Sequence, residues 1–298
     1  MEIMKKMKQE IRIVAVAAAL MTGGCDSLDI KGMFFSSGDP TEERVAEWLA
    51  WDEAHGPNVI ADVPDEYRFY ACSDPHVDTS AARVAEFLRQ ECQDPRAVMS
   101  IIMGDIANKA GEEPYRMVLD AIRNRPAAAG QDTCWVILGN HDIYFDCNTH
   151  YRNCFHTSTY TLEVQTAGGY KDLYVFLDSG NSTHGARQMG WLREVLSRRS
   201  EYRHCIICTH VCIFRTTYNY STTPAANLPL EEYYELTDLM AESNVSLFMM
   251  GHFHYKESQV IGGIPYVMTD NLNDTESGPS CLVVDCGNDG VNYKYQNL

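Results

Sequence analysis

Five short polar clusters punctuate the chain, each directly after an apolar run: Asp74-Pro75-His76, Gly104-Asp105, Gly139-Asn140-His141-Asp142, His210, and Gly251-His252-Phe253-His254. Their side chains are carboxylates, imidazoles and one amide oxygen, with no sulfur among them. Such donors suit Zn, Mn, Fe, Co or Ni, and not a structural thiolate zinc site. Asp74 and His76 are two residues apart, as are His252 and His254, a spacing that aims both members of a pair to one side of an extended chain. Gly104, Gly139 and Gly251 each stand just ahead of the first candidate ligand, where a residue without a side chain permits a sharp turn and close backbone approach. Any one cluster alone is weak: a lone histidine after a strand is more often a core residue than a ligand, and Gly-Asp is a common turn. Their succession carries the signal.

To meet, these clusters need a scaffold that gathers distant loops. The runs before them read as strands over Tyr67–Cys72, Ala97–Met103, Thr133–Leu138, Arg203–Thr209 and Val245–Met250. Helical patterns lie between them near Ala81–Cys92, Glu113–Arg125, Arg187–Arg199 and Glu231–Ser243. That alternation predicts an α/β fold, and in open α/β sheets the loops beyond the carboxyl ends of strands converge on one side. From Glu257 onward consecutive strands are expected at Ile264–Thr269, Cys281–Asp285 and Val291–Tyr295, so the sheets should be mixed. Upstream, Asp39-Pro40-Thr41-Glu42 reads as a helix start, with Asp39 as N-cap and Glu42 placed for a capping box. Val45, Trp48 and Leu49 form that helix's apolar face, Gly56 is its stop, and its expected role is packing.

The order of the clusters resembles the signature of the calcineurin-like metallophosphoesterase superfamily: D-x-H, G-D, G-N-H-[D/E], H, G-H-x-H. The resemblance runs from about Tyr67 to the C-terminus. It implies two mixed β-sheets packed as a sandwich and flanked by helices, a four-layer αββα fold. It also implies a dinuclear centre. Asp74, His76, Asp105 and His254 would hold one divalent transition metal ion, and Asp105, as a bridge, with Asn140, His210 and His252 would hold the other. His141 would sit beside the scissile phosphate, with Asp142 orienting it. The implied activity is hydrolysis of a phosphomonoester or phosphodiester by metal-activated hydroxide. Purple acid phosphatases carry D-x-x-H and a tyrosine three residues after the bridging aspartate. Here the spacing is D-x-H and that position is Asn108, so no iron–tyrosinate is expected.

The N-terminus adds an address. Lys5, Lys6, Lys8 and Arg12 precede the apolar run Ile13–Met21, then Thr22-Gly23-Gly24 and Cys25, the layout of a secretory signal. The run falls short of the ~20 residues a membrane span requires. A cysteine after small residues resembles a bacterial lipobox, predicting a signal peptide over 1–24, a lipid anchor at Cys25, and a location in the cell envelope, periplasmic or outer-surface. The alternative is cleavage near Gly24 with Cys25 an ordinary residue. Residues 25–66 then read as tether and packing helix, and 67–298 as the catalytic domain.

The formal charge is −17; residues 1–24 hold four basic and two acidic side chains, so their loss leaves −19. A surface that acidic disfavours nucleic acid as a bulk partner, which weighs against a nuclease of the same superfamily and leaves a small phosphate ester as the expected substrate. Two divalent ions against Asp74 and Asp105 would still leave a positive site locally. A non-catalytic surface module on the same fold is a further alternative; it should show missing ligands, and all seven candidates are present. Arg152, His156 and Arg215 could touch phosphate and Tyr218 and Tyr220 could stack on a leaving group, although solvated loop positions in Ile143–Tyr160 and Ile213–Leu228 are the more ordinary reading. Ten cysteines follow Cys25. Cys147 and Cys154 are the candidate disulfide, while Cys72, Cys134, Cys205 and Cys281 read as core thiols.

Overall fold

The computed structural model describes residues 40–108, 111–126, 134–144, 147–214, 228–273 and 278–298. Residues 1–24, expected to be a secretory signal, and Cys25, Asp39, Arg215, Tyr218 and Tyr220 lie outside the described residues.

The chain opens with α1 (Thr41–His55), followed by β1 (Asn58–Val63), β2 (Tyr67–Cys72), α2 (Ala82–Gln93), β3 (Ala97–Met103), α3 (Glu113–Arg123) and β4 (Cys134–Ile137). A 3-10 turn (His141–Ile143) and α4 (Cys147–Phe155) lead to β5 (Tyr160–Thr166), β6 (Lys171–Phe176), α5 (Gly185–Ser197) and β7 (His204–Cys208). Then come α6 (Leu230–Glu242), β8 (Leu247–Met250), β9 (Glu257–Ile261), β10 (Ile264–Met268), β11 (Ser280–Gly287) and β12 (Gly290–Asn297).

Two mixed sheets result, with strand orders β1-β5-β6-β7-β8-β10-β9 and β12-β11-β2-β3-β4. Strand periodicity divides the core. On β2, Phe69 and Ala71 face the other sheet while Tyr70 and Cys72 face helices; on β8, Leu247 and Met249 face inward between the sheets while Phe248 and Met250 face out. Strands covered on both faces are mostly apolar, which is why these runs lack polar alternation; Arg68 on β2 is the exception and pairs with Asp94 and Asp285. Helix residues Val84, Phe87, Tyr115 and Val118 cover one outer face, and Leu192, Leu236 and Met240 cover the other. The order helix, sheet, sheet, helix is the expected four-layer α/β architecture.

Helix α1 ends at Gly56 and buries Val45 and Trp48, as its sequence suggests. Its first cap differs from expectation: Pro40 is the N-cap, and the Glu42 carboxylate instead accepts the Arg187 backbone N–H at the start of α5. Residues ahead of Tyr67 do more than pack. β1 pairs in parallel with β5, so residues 58–63 are an edge strand of the larger sheet. The stretch expected to be loop after the third cluster contains α4, whose Cys147, Tyr151 and Cys154 are buried. That helix also rules out the expected disulfide: both cysteines are free, and seven helical steps separate their Cα atoms by ~10 Å, beyond the reach of a bridge. Among the described residues no helix is long and apolar enough to cross a membrane.

Candidate metal centre

Three site loops follow the parallel strands β2, β3 and β4 of the smaller sheet, and two follow β7 and β8 of the larger. Backbone hydrogen bonds seam the loops together: Asp74 N–H donates to Gly104 O, His76 N–H to Asp105 O, and Gly251 N–H to His210 O. The sheets meet here as well, since His252 N–H donates to Asp74 Oδ2 at 2.9 Å and His210 Nδ1 donates to Met103 O at 2.7 Å. With Nδ1 committed to a carbonyl, the other nitrogen of His210 is the one aimed into the site.

Among the described residues, three overlapping trios hold donor atoms within 4.8 Å of one another: Asp74, His76 and His254; His76, Asp105 and His141; and Asp105, His210 and His252. Asp105 Oδ2 lies 3.6 Å from His76 Nε2 and 3.3 Å from His210 Nε2, so a single carboxylate faces both ends of the cluster. Asn140 Oδ1 joins the second end, 2.8 Å from His252 Nδ1 and 3.1 Å from His210 Nε2. Its amide nitrogen donates to Tyr144 Oη at 2.7 Å, which turns the amide oxygen inward. Tyr144 went unnoticed in the sequence, although it stands four residues after Asn140 across a helical turn. All seven candidate ligands are thus brought together.

The group fits a metal better than it fits itself. Asp74 Oδ1 is buried without a well-formed hydrogen bond, with His254 Nε2 3.3 Å away. His76 Nε2 and His254 Nε2 face each other at 3.0 Å, an arrangement in which two lone pairs would repel unless a cation or proton lay between. Burial opposes ionisation of Asp74, yet the His210 and His254 imidazoles hold it well below the usual carboxylate range. Asp105 is likewise held low against burial, by His210 and His141. Burial would depress His210, but Asp105 and Asp74 raise it to about 10. Burial, aided by neighbouring imidazoles, pushes His76 and His252 down to about 3. With two neutral imidazoles and two ionised carboxylates in place, the cluster is set to receive cations.

The pairs do not converge as extended chain. Asp74, His76, Asp105, His252 and His254 all take positive φ, between 43° and 83°, a backbone region costly for residues with a Cβ. The expected glycine role holds at closer quarters. Gly104 has φ +87°, and a Cβ there would stand 2.6 Å from His210 Nδ1. A Cβ on Gly139 would strike the Asp105 carboxylate, and one on Gly251 would strike Ser73.

His141 is half-buried, with Nε2 3.9 Å from Asp105 Oδ2, and its backbone N–H donates to Asp105 Oδ1 at 2.8 Å. Asp142, expected to orient His141, reaches it through the backbone of its loop. Its carboxylate accepts the backbone N–H groups of Gly139, Ile106 and Ala107 and a hydrogen bond from the Tyr115 hydroxyl. It therefore ties the third loop to the second, and burial together with the Asp105 charge pushes it up to about 7. Arg152 pairs with Glu47 at 2.7 Å and His156 stacks on Trp51, so both candidates serve α1 rather than the site. Asn108, where a tyrosine would be needed for an iron–tyrosinate, is exposed.

No curated protein matches the chain. Among solved structures, GAP50, described as the anchor in the inner membrane complex of Plasmodium, superposes with a TM-score of 0.59 at 14% identity, covering 78% of this chain and 84% of that one. Purple acid phosphatase PPD1 from yellow lupin (Lupinus luteus) gives 0.60 at 11% identity over 80% of this chain. This chain spans about half of that phosphatase, 52% of its length. At such identities these likenesses speak for the fold alone. The model of the calcineurin-like phosphoesterase family matches residues 67–256, the span holding all five clusters. The chain belongs to the calcineurin-like phosphoesterase family and is a hydrolase of phosphoric esters.

Proposed function

We propose that this chain hydrolyses small phosphate esters at a dinuclear centre of divalent transition metal ions. The observation that carries the reading is the sharing of Asp105 Oδ2 between His76 on one side and His210 on the other. Asp74, His76 and His254 would hold one ion with Asp105, and Asn140, His210 and His252 the other. Bound there, the ions supply Lewis acidity toward a phosphoryl oxygen and lower the pKa of water at the site.

The protein's own share is positioning and proton handling. Buried Asp74, Asp105 and His210 form the floor, and the half-buried His141, His252 and His254 face the opening. Substrate therefore approaches past His141, whose Nε2 is placed to hydrogen-bond a non-bridging oxygen or to give its proton to the leaving oxygen. Asp142 keeps the Gly139–His141 backbone against Ile106, so that Asp105 and His141 move as one unit.

Release of chromophore from a phosphomonoester and from the matching diester, with Mn²⁺ added or with chelator, tests the reading. Metal-dependent turnover of at least one is expected, and the ratio of the two rates assigns monoester or diester preference. Turnover of neither by metal-loaded protein would contradict it. We also propose that the chain is exported and anchored by lipid at Cys25. The basic start, short apolar run and small residues before Cys25 support this placement, and fatty-acid labelling that survives Cys25→Ala would remove it.

A further inference from the structure

On the first turn of α6, the Glu232 carboxylate accepts the His184 backbone N–H and the Thr183 hydroxyl, closing the N-terminus of α5. A helix cap would need nothing more. Here the contacts continue inward. His184 Nδ1 lies 2.8 Å from Glu232 Oε1, and its other nitrogen, Nε2, lies 3.2 Å from Thr209 Oγ1. Thr209 Oγ1 donates to Ser179 Oγ at 2.9 Å. Ser179 Oγ also accepts the backbone N–H of His210 at 3.2 Å and of Val211 at 2.9 Å. His184, Thr209 and Ser179 are fully buried.

We propose that Glu232, His184, Thr209 and Ser179 are positioning residues for His210. They set the affinity of the His210–His252 end for its cation more strongly than that of the Asp74–His76–His254 end. The proposal rests on the dinuclear reading above. The Met103 carbonyl fixes the His210 ring about its own bonds, while Ser179 fixes the peptide from which that ring projects. Without the seryl oxygen, two successive buried N–H groups lose their acceptor and the turn after β7 has to re-form around other partners. Among the described residues the chain touches the site loops at residues 209–211. The other end has further support of its own, from Ser73 Oγ on Met103 O and from the backbone bonds of Asp74 and His76 to Gly104 and Asp105, and it meets this end at the Met103 carbonyl and at the Gly251 N–H bond to His210 O. A support of this kind ordinarily tunes metal affinity by roughly tenfold or more.

Calorimetric titration of metal-free protein with Mn²⁺ provides the test. The unaltered chain is expected to take up two ions. Ser179→Ala, Glu232→Gln and Thr209→Val should each weaken one of the two by roughly tenfold and affect the other much less. Thr209→Ser, which keeps the hydroxyl, should retain both affinities. Val118→Ala, a core change on α3 outside the chain of contacts, should lower the thermal midpoint and still retain both. Wild-type affinities in Ser179→Ala and Glu232→Gln, or equal weakening at both ends, would overturn the proposal. Failure of the unaltered chain to bind Mn²⁺ would strike the dinuclear reading itself, and would be seen before any variant is compared.

Discussion

Arg44 on α1 donates from Nε to Asp178 Oδ2 at 2.7 Å, with both side chains withdrawn completely from solvent. Trp48 Nε1 donates to the same oxygen at 3.0 Å, and Arg44 also reaches Asn181 at 2.8 Å. Asp178 begins the loop whose next residue supports His210, so a helix upstream of the family-matched region underpins the metal centre. Burial alone would raise the Asp178 carboxyl, but Arg44 holds it below its ordinary value. Removing one member of a buried pair leaves the other charge uncompensated, and Arg44→Ala should cost about 3–5 kcal/mol in denaturant unfolding. A loss within a few tenths of a kcal/mol would show that α1 is dispensable.

Two glycines should respond oppositely to alanine. A methyl on Gly139 meets the Asp105 carboxylate and backbone, so Gly139→Ala should displace the shared ligand and reduce metal content below two ions per chain. Gly190, within α5, has open space around its Cβ position. There alanine should stabilise by about 0.5–1 kcal/mol, because helix interiors disfavour glycine. Elemental analysis and thermal unfolding of the pair distinguish the cases.

His141 should matter to turnover and not to metal. His141→Ala is expected to lower kcat by about 10²–10⁴-fold while metal content is retained. Asp105→Asn should instead lose metal, since the shared ligand loses its charge. A His141→Ala enzyme of undiminished kcat would exclude that side chain from the reaction.

The metal-free protein should weaken at alkaline pH. His210 is raised from its ordinary value near 6.5 to about 10. A base whose folded pKa is raised contributes stability that is complete below about 6.5 and is lost as pH rises through about 10. The thermal midpoint of chelated protein should therefore fall across that interval, and His210→Gln should flatten the fall. Metal binding at neutral pH should also release a proton from His210, visible as a buffer-dependent binding heat. Equal heats in buffers of different ionisation enthalpy would contradict this.

Much of this arrangement was legible in sequence, and the gaps have physical causes. β2 and β3 coincide with their predicted ranges, because apart from Arg68 and Ser100 they are apolar runs bounded by turns. All seven candidate ligands were readable because each closes such a run. β5 was missed although Tyr160, Leu162, Val164 and Thr166 alternate with less buried residues at strict period two. α4 was missed because its buried face uses Cys147, Tyr151 and Cys154, a helical spacing in a weakly apolar segment. The aim of the Asp142 carboxylate, and the contact between Glu232 and His184, depend on residues 36 and 48 positions away. No local pattern encodes such pairs. The positive φ of Asp74, His76, Asp105, His252 and His254 was equally hidden, since tertiary contacts impose it against local preference.

The central claim is that one pair of cations is held by side chains from five loops. Anomalous diffraction at the manganese edge, from crystals grown with Mn²⁺, tests it most directly. Two peaks about 3.5–4 Å apart are expected among Asp74, His76, Asp105, Asn140, His210, His252 and His254, with Asp105 between them. No peak there, or a lone peak elsewhere on the surface, would contradict the account.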